Sequence, residues 1–362
     1  MSQAVPKPNP SSVPDTLLNM VRPHITEKMN SATAPGKIIL FGEHAVVYGQ
    51  PAIAVPVDAV RARVIVETTD EEGIELAMLD LDESLWLHEA EDTHPLSRAV
   101  RNFFRQSPDL AMRDDGLRIS FTSTIPMAGG MGSGAALSSA LFRVLARHYN
   151  MSELSTNEVV SQMSYEIEKL YHGTPSGVDN TVVTYNKPVY FVRDLYKDDQ
   201  KIYNMLLGDD GYQLYMPGLD VFEPGGRFSI LIADTGIPAP TVESVANVRK
   251  AWIDNRFEYE GLFIRCGQIA NEARYALIRG DSEGLGALMN FNHHVLQAMG
   301  VSSTELDAFV TVARGAGALG AKMSGGGRGG NMIALVDDTV EDAVREALEG
   351  VGAKSIIKTT LE

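Results

Sequence analysis

From about Ala32 onward, apolar and polar positions are spaced as expected for a mixture of strands and helices. Ile38-Ile39-Leu40-Phe41 and Ala52 to Val57 are apolar runs separated by a turn at Tyr48-Gly49-Gln50, and read as two strands of one sheet. Arg61 to Thr69 (RARVIVETT) and Leu117 to Thr122 (LRISFT) alternate as half-buried strands do. Helical spacing marks Pro95 to Gln106, through Leu96, Val100 and Phe103-Phe104, and Ala135 to Tyr149, through Ala136, Leu137, Leu141, Val144 and Leu145. Val159 to Tyr171 reads as a further helix, ended by the turn His172-Gly173-Thr174-Pro175, and Lys187 to Val192 as a strand. Phe228 to Ala233 is a buried-type strand followed by helical stretches at Val242 to Asp254 and Asn255 to Arg279. The chain finishes as strand, helix, strand through Met332 to Leu335, Val340 to Glu349 and Ile356-Ile357.

Residues 1–30 are rich in Pro and Ser and read as a flexible extension with one helical turn at Thr16 to Val21. The Gly-, Pro- and Asp-rich stretch Gly208 to Gly226 is the best place for a domain break, giving expected domains of 31–215 and 216–362. A length of 362 residues exceeds what one core usually organises, so an active site in a cleft between two domains is the expectation.

A net charge of -16 without a basic cluster argues against nucleic acid or anionic membranes as partners. An acidic protein that binds anions must do so locally, with backbone N–H groups, helix N-termini, a few cations and a divalent metal. One cysteine, Cys266, allows no internal disulfide, and no apolar run is long enough to span a bilayer, so a cytoplasmic protein is expected.

Local anion binding directs attention to Ile125 to Ala136 (IPMAGGMGSGAA), where Gly129, Gly130, Gly132 and Gly134 lie between a strand and a helix. Glycines let backbone approach a polyphosphate, and the helix that follows offers free N–H groups and a positive dipole end. The loop is neither a Walker A motif nor a dinucleotide fingerprint. Alone, a tight packing turn is the lesser alternative reading, and a second cluster, Ala321 to Gly330 (AKMSGGGRGG), precedes another strand. Between them Glu168 and Asp179 bring two carboxylates from separate elements, the pairing phosphoryl transfer uses, although each alone is more often a solvated or capping residue. His172, His293 and His294 lack a zinc-ligand spacing and read as structural.

Together these segments resemble a known family. Ala34 to Gly49 (APGKIILFGEHAVVYG) closely resembles the first motif of the GHMP small-molecule kinases, in the form carried by their mevalonate-phosphorylating branch. The cradle resembles their second motif, Lys322 to Gly327 their third, and Asn292 to Val312 the helix pair of that branch. The resemblance implies an α+β, two-domain GHMP kinase fold. Its N-terminal domain has a mixed sheet and helices with a ribosomal-S5-like βαβ arrangement, its C-terminal domain is a ferredoxin-like α+β unit, and the active site lies in the cleft between them. It further implies ATP as co-substrate, Mg²⁺ as cofactor, mevalonate as the phosphate acceptor at its C5 hydroxyl, and a homodimer. A kinase for phosphomevalonate or for the 3-hydroxyl, and a non-catalytic sensor, remain the alternatives.

Carried onto this chain, the family's roles fall on Asp179 as base and Lys37 beside the acceptor hydroxyl, and on Glu168 as Mg²⁺ ligand. Pro126, Ala128, Gly129, Gly130, Met131, Gly132, Ser133, Gly134 and Ala135 are expected on ATP phosphates, and Glu43, His44, Thr241, Ser324, Gly325 and Gly326 on the acceptor. For His44, a core histidine paired to a carbonyl is an equal reading. Ala128 replaces the second motif's first glycine, and Gly134 replaces a serine that binds Mg²⁺ in the family, leaving Ser133 or Ser138 as substitutes. Arg328 interrupts the third motif's glycine run, and Gly236 and Ala239 stand where the family often has basic residues, so the partner of the substrate carboxylate is unassigned.

Overall fold

A computed structural model describes residues 30–106, 116–126, 129–172, 175–207, 212–238 and 241–362. The expected extension up to residue 29, Ala128, Ala239, the Gly173-Thr174 turn and the side chain of His172 lie outside the described residues.

The first half of the chain builds a seven-stranded sheet. β1 (Asn30–Phe41) runs antiparallel to β2 (Ala52–Thr69), joined through a 3₁₀ turn at Ala45–Tyr48 that ends on Gly49 in the left-handed region. The runs 52–57 and 61–69, expected as separate strands, form one continuous β2. The register slips between Pro35 and Gly36, opposite the exposed Asp58-Ala59, so the irregularity bends the ribbon without ending it. β3 (Ile74–Met78) and β4 (Glu83–Trp86) form a hairpin, α1 (Pro95–Arg105) follows, and β5 (Gly116–Ser123) inserts between β3 and β2. Pro95 occupies the start of α1, the His94 ring accepts from the Ser97 N–H, and Leu96, Ala99, Val100 and Phe103 form its buried stripe.

α2 (Ser133–His148), α3 (Asn157–His172) and α4 (Val178–Tyr185) pack together against this sheet. β6 (Val189–Val192) pairs with the start of β2, two short helices α5 (Leu195–Asp198) and α6 (Gln200–Leu207) follow, and β7 (Gly218–Val221) pairs antiparallel with β6. Because β7 completes that edge, the chain leaves the first sheet only between Val221 and Phe228, a few residues past the expected 215/216 division.

The second half forms a four-stranded antiparallel sheet in the order β11-β8-β10-β9, from β8 (Phe228–Asp234), β9 (Gly320–Ser324), β10 (Asn331–Val336) and β11 (Ser355–Leu361). Its helices are α7 (Thr241–Asp254), α8 (Arg256–Arg279), α9 (Ser282–Ala298), α10 (Thr304–Gly315) and α11 (Glu341–Gly350). Asp281 and Ser303 cap α9 and α10, accepting from the Gly284 and Leu306 N–H groups.

One apolar cluster runs through both halves. At the junction, Tyr48 stacks on Phe263 with ring centres 4.0 Å apart and meets Trp252 edge-on, so the turn after β1 is wedged against α7 and α8.

Candidate active site

β1 leads into the site through Lys37, whose N–H donates to the Met131 carbonyl at 3.0 Å, joining the first strand to the cradle. Gly132 sits at φ 72 as the residue before α2, and a Cβ there would lie 2.9 Å from Cγ of Lys37. Only glycine both adopts this conformation easily and leaves room for the lysine stem. The Lys37 ammonium then reaches Asp179, with Nζ 2.9 Å from Oδ2. Asp179 lies in the first turn of α4, a helix entered through Gly177 at φ 90.

Glu168, on α3, joins them from a third element. It is 2 % exposed, and its carboxyl is pushed up to about 8, first by burial and then by the charge of Asp179, with Lys37 opposing. Asp179 is paired with Lys37, so ionising the buried Glu168 would leave one uncompensated negative charge, which a divalent cation would neutralise. No group of three or more His, Cys, Asp or Glu side chains suited to a metal occurs among the described residues. Glu168 and the Ser133 hydroxyl, which line the same cavity, are hard oxygen donors of the kind that would suit Mg²⁺, a cation that keeps several of its waters.

A cavity of about 570 Å³ brings these groups together. Its lining includes Lys37, Glu43, His44, Pro126, Gly130, Met131, Gly132, Ser133, Gly134, Glu168, Asp179, Thr241, Gly325 and Gly326. Most residues singled out from the sequence thus share one cleft. Gly129 and Ala135 support the cradle from behind: Ala135 is fully buried, and the Gly129 carbonyl accepts from Asn331.

Three expected acceptor contacts are engaged across the domain junction. Ser324 does not line the cavity, because its hydroxyl donates to the Ile39 carbonyl at 2.7 Å. Glu43 lines it, but its carboxylate pairs with Lys322 on β9, and both side chains are fully buried. Burial raises the Glu43 carboxyl and lowers the Lys322 ammonium, and their mutual attraction works against both shifts. His44, in the left-handed region at φ 58, donates through Nε2 to the Gly326 carbonyl at 3.0 Å, so its carbonyl-paired reading holds while the ring still lines the cleft. Burial lowers its pKa to about 4, so the ring is neutral at pH 7. Ser244 on α7 donates to the same Gly326 carbonyl.

Arg328 does not break the second glycine turn. It adopts φ 63, and its N–H donates to the Val301 carbonyl at 2.8 Å, while neighbouring Gly327 passes so close that a Cβ would meet that same carbonyl oxygen at 2.0 Å.

The structure also adds residues that the sequence did not announce. Arg193, directly after β6, lines the cavity at 2 % exposure, and its Nε and Nη2 have no hydrogen-bond partner among the described residues. The nearest carboxylate, Asp198, is 4.0 Å from Nε. Arg249, Val46, Val47, Val242 and Val245 complete this end of the cleft. The Arg193 guanidinium thus places a positive charge at the wall of the cavity. The only hint in the sequence is an arginine following an apolar strand.

Comparison with known proteins agrees with this geometry. The family model described as "GHMP kinases N terminal domain" matches residues 95–187, and "GHMP kinases C terminal" matches 273–354. The chain is 32% identical over 348 residues to a mevalonate kinase of Thermococcus onnurineus, covering 91% of this chain and 96% of the relative. It is 33% identical over 321 residues to a mevalonate kinase of Pyrococcus furiosus, covering 84% and 88%. Among solved structures, L. major mevalonate kinase in complex with R-mevalonate superimposes with a TM-score of 0.74 at 28% identity, covering 94% of this chain and 98% of that one.

Proposed function

We propose, for a chain that belongs to the GHMP kinase family and within it to the mevalonate kinases, that the cleft transfers the γ-phosphoryl group of ATP to the C5 hydroxyl of mevalonate. The products are 5-phosphomevalonate and ADP, which places the enzyme in isoprenoid biosynthesis. The observation that carries this reading is the 2.9 Å pair of Lys37 and Asp179 in one cavity with a glycine phosphate cradle.

The acceptor hydroxyl lies against Lys37 and Asp179. Lys37, beside both the hydroxyl and the Asp179 carboxylate, stabilises the negative charge that develops on the C5 oxygen. As the bond from the γ-phosphorus to the β,γ-bridging oxygen lengthens, the C5 oxygen closes on phosphorus, its proton passes to an Asp179 oxygen, and ADP departs with the bridging oxygen. In a loose transition state most acceleration comes from alignment and charge neutralisation, supplied here by Lys37 and the N–H groups of Gly130 to Gly134. Mg²⁺, when bound, supplies further neutralisation of the phosphate oxygens, and Glu168 with Ser133 would hold it. Gly134 contributes only backbone at the position of the family's metal-binding serine.

Arg193 is the residue we assign to the mevalonate carboxylate. It supplies at the cavity wall the cation missing at Gly236 and Ala239, and a guanidinium suits a carboxylate. The neutral His44 and Thr241 line the same cavity and can hydrogen-bond the acceptor, and Val46, Val47 and Val242 there give an apolar wall suited to its methyl group.

ADP release measured side by side with mevalonate and with its 5-phosphate tests the reading. Turnover with mevalonate is expected, and exclusive use of the 5-phosphate would overturn it.

A further inference from the structure

The hairpin from β9 to β10 reaches the first domain at several points. Lys322 meets Glu43, Ser324 meets the Ile39 carbonyl, and the Gly326 carbonyl meets His44. A further contact goes to the cradle. Asn331 opens β10, with its backbone fixed between Ser324 on one side and Asp234 on the other. Its side chain, 5 % exposed, donates from Nδ2 to the carbonyl of Gly129.

We propose that Asn331 is a positioning residue for the phosphate cradle, holding the peptide between Gly129 and Gly130 in the orientation that turns the Gly130 N–H away from the second domain and toward bound phosphate. The inference rests on the reading of Pro126 to Ala136 as the loop that holds ATP phosphates. In a trans peptide the C=O and N–H point in opposite directions, so anchoring the Gly129 carbonyl fixes where the Gly130 N–H is aimed. Little else fixes it. Glycine stands on both sides of this peptide, Gly130 adopts φ 66, and a Cβ built on it would meet nothing within 4 Å. Such a peptide turns over at low steric cost. Turned over, its carbonyl would face the polyphosphate and repel it. Asn331 removes that alternative, and because the same hairpin carries Gly325 and Gly326 into the cavity, it couples the cradle to the second domain.

The test uses the full-length chain with Asn331→Ala and Asn331→Asp, titrated calorimetrically with ADP in excess Mg²⁺, alongside KM for ATP, KM for mevalonate and Tm. Loss of one buried hydrogen bond should weaken ADP binding about 3- to 10-fold in the alanine variant. The aspartate variant should lose more, because its carboxylate opposes the Gly129 carbonyl. KM for ATP should rise in step, while KM for mevalonate stays within about twofold, a split that general loosening would not produce. Wild-type ADP affinity in both variants would overturn the proposal, as would equal losses for both substrates accompanied by a fall in Tm. Failure of the wild-type protein to bind ADP would overturn the cradle reading and this inference with it.

Discussion

Replacing Lys322 by Met leaves the Glu43 carboxylate buried at the domain junction without its cation, and Glu43→Gln leaves the ammonium without its anion. Both side chains are fully buried, so solvent screening does not soften the loss. Removing one member of such a pair costs about 3–5 kcal/mol, against a total folding stability of roughly 5–15 kcal/mol for a typical protein. Part of the loss falls on contacts that already stabilise the pair: Lys322 also donates to the Met323 carbonyl at 2.7 Å and sits 5.8 Å from the Phe41 ring. The combined Glu43→Gln/Lys322→Met variant buries neither charge and should recover most of the loss, because desolvation of both ions is then no longer required. Urea unfolding followed by tryptophan fluorescence suits the measurement, since Trp252 lies buried against Tyr48 at the same junction. The expected pattern is two destabilised single variants and a double variant near wild type. Single losses below about 1 kcal/mol, or a double variant that simply sums the singles, would refute the idea that this pair acts as a buried unit across the junction.

Arg193→Gln should raise KM for mevalonate by about 10- to 100-fold with KM for ATP little changed, the range for losing a charge-assisted hydrogen bond; equal effects on both substrates in steady-state kinetics would count against the carboxylate assignment. Gly132→Ala forces a Cβ to within 2.9 Å of the Lys37 stem at φ 72, so it should lower kcat sharply and cost roughly 1–2 kcal/mol of stability, and an unchanged kcat would show that the lysine can move aside without loss. Glu168 has a raised folded-state pKa of about 8 against an ordinary 4.5, so its contribution to stability is fully present below about pH 4.5 and is lost as pH rises through 8. Without Mg²⁺, Tm should therefore decline over that window, and Glu168→Gln should flatten the decline. Because a cation requires the ionised carboxylate, Mg²⁺ titrated together with a non-hydrolysable ATP analogue at pH 7 should release up to about one proton. Calorimetry in buffers of different ionisation enthalpy reads that proton, and its absence would contradict the role of Glu168.

The motifs were legible in the sequence because each is contiguous: the cradle glycines have a composition that fits anion binding, and Lys37, Glu168 and Asp179 lie in segments that resemble the family's motifs. What the sequence concealed depends on topology. Asn331 reaches Gly129 only because β10 pairs with β9 and brings the second glycine hairpin beneath the cradle. Arg193 becomes a cavity residue only because β6 pairs with the start of β2. Short elements were also hidden. α4 is rich in β-branched residues, with Val178, Thr181, Val182, Val183 and Thr184 within eight positions, so its periodicity does not declare a helix. β3, β4 and β7 are brief and partly polar. Glu43 and Ser324 were expected on the acceptor, yet their polar atoms turn to Lys322 and the Ile39 carbonyl, a choice set by the docking of the two domains.

The central claim, that the Lys37–Asp179 pair acts on the acceptor hydroxyl, is tested most directly by single-turnover phosphoryl transfer from ATP to mevalonate in Asp179→Asn. The account predicts a rate lower by about 10²- to 10⁴-fold, with the affinities for both substrates within a few-fold of wild type. A near-normal single-turnover rate would contradict it.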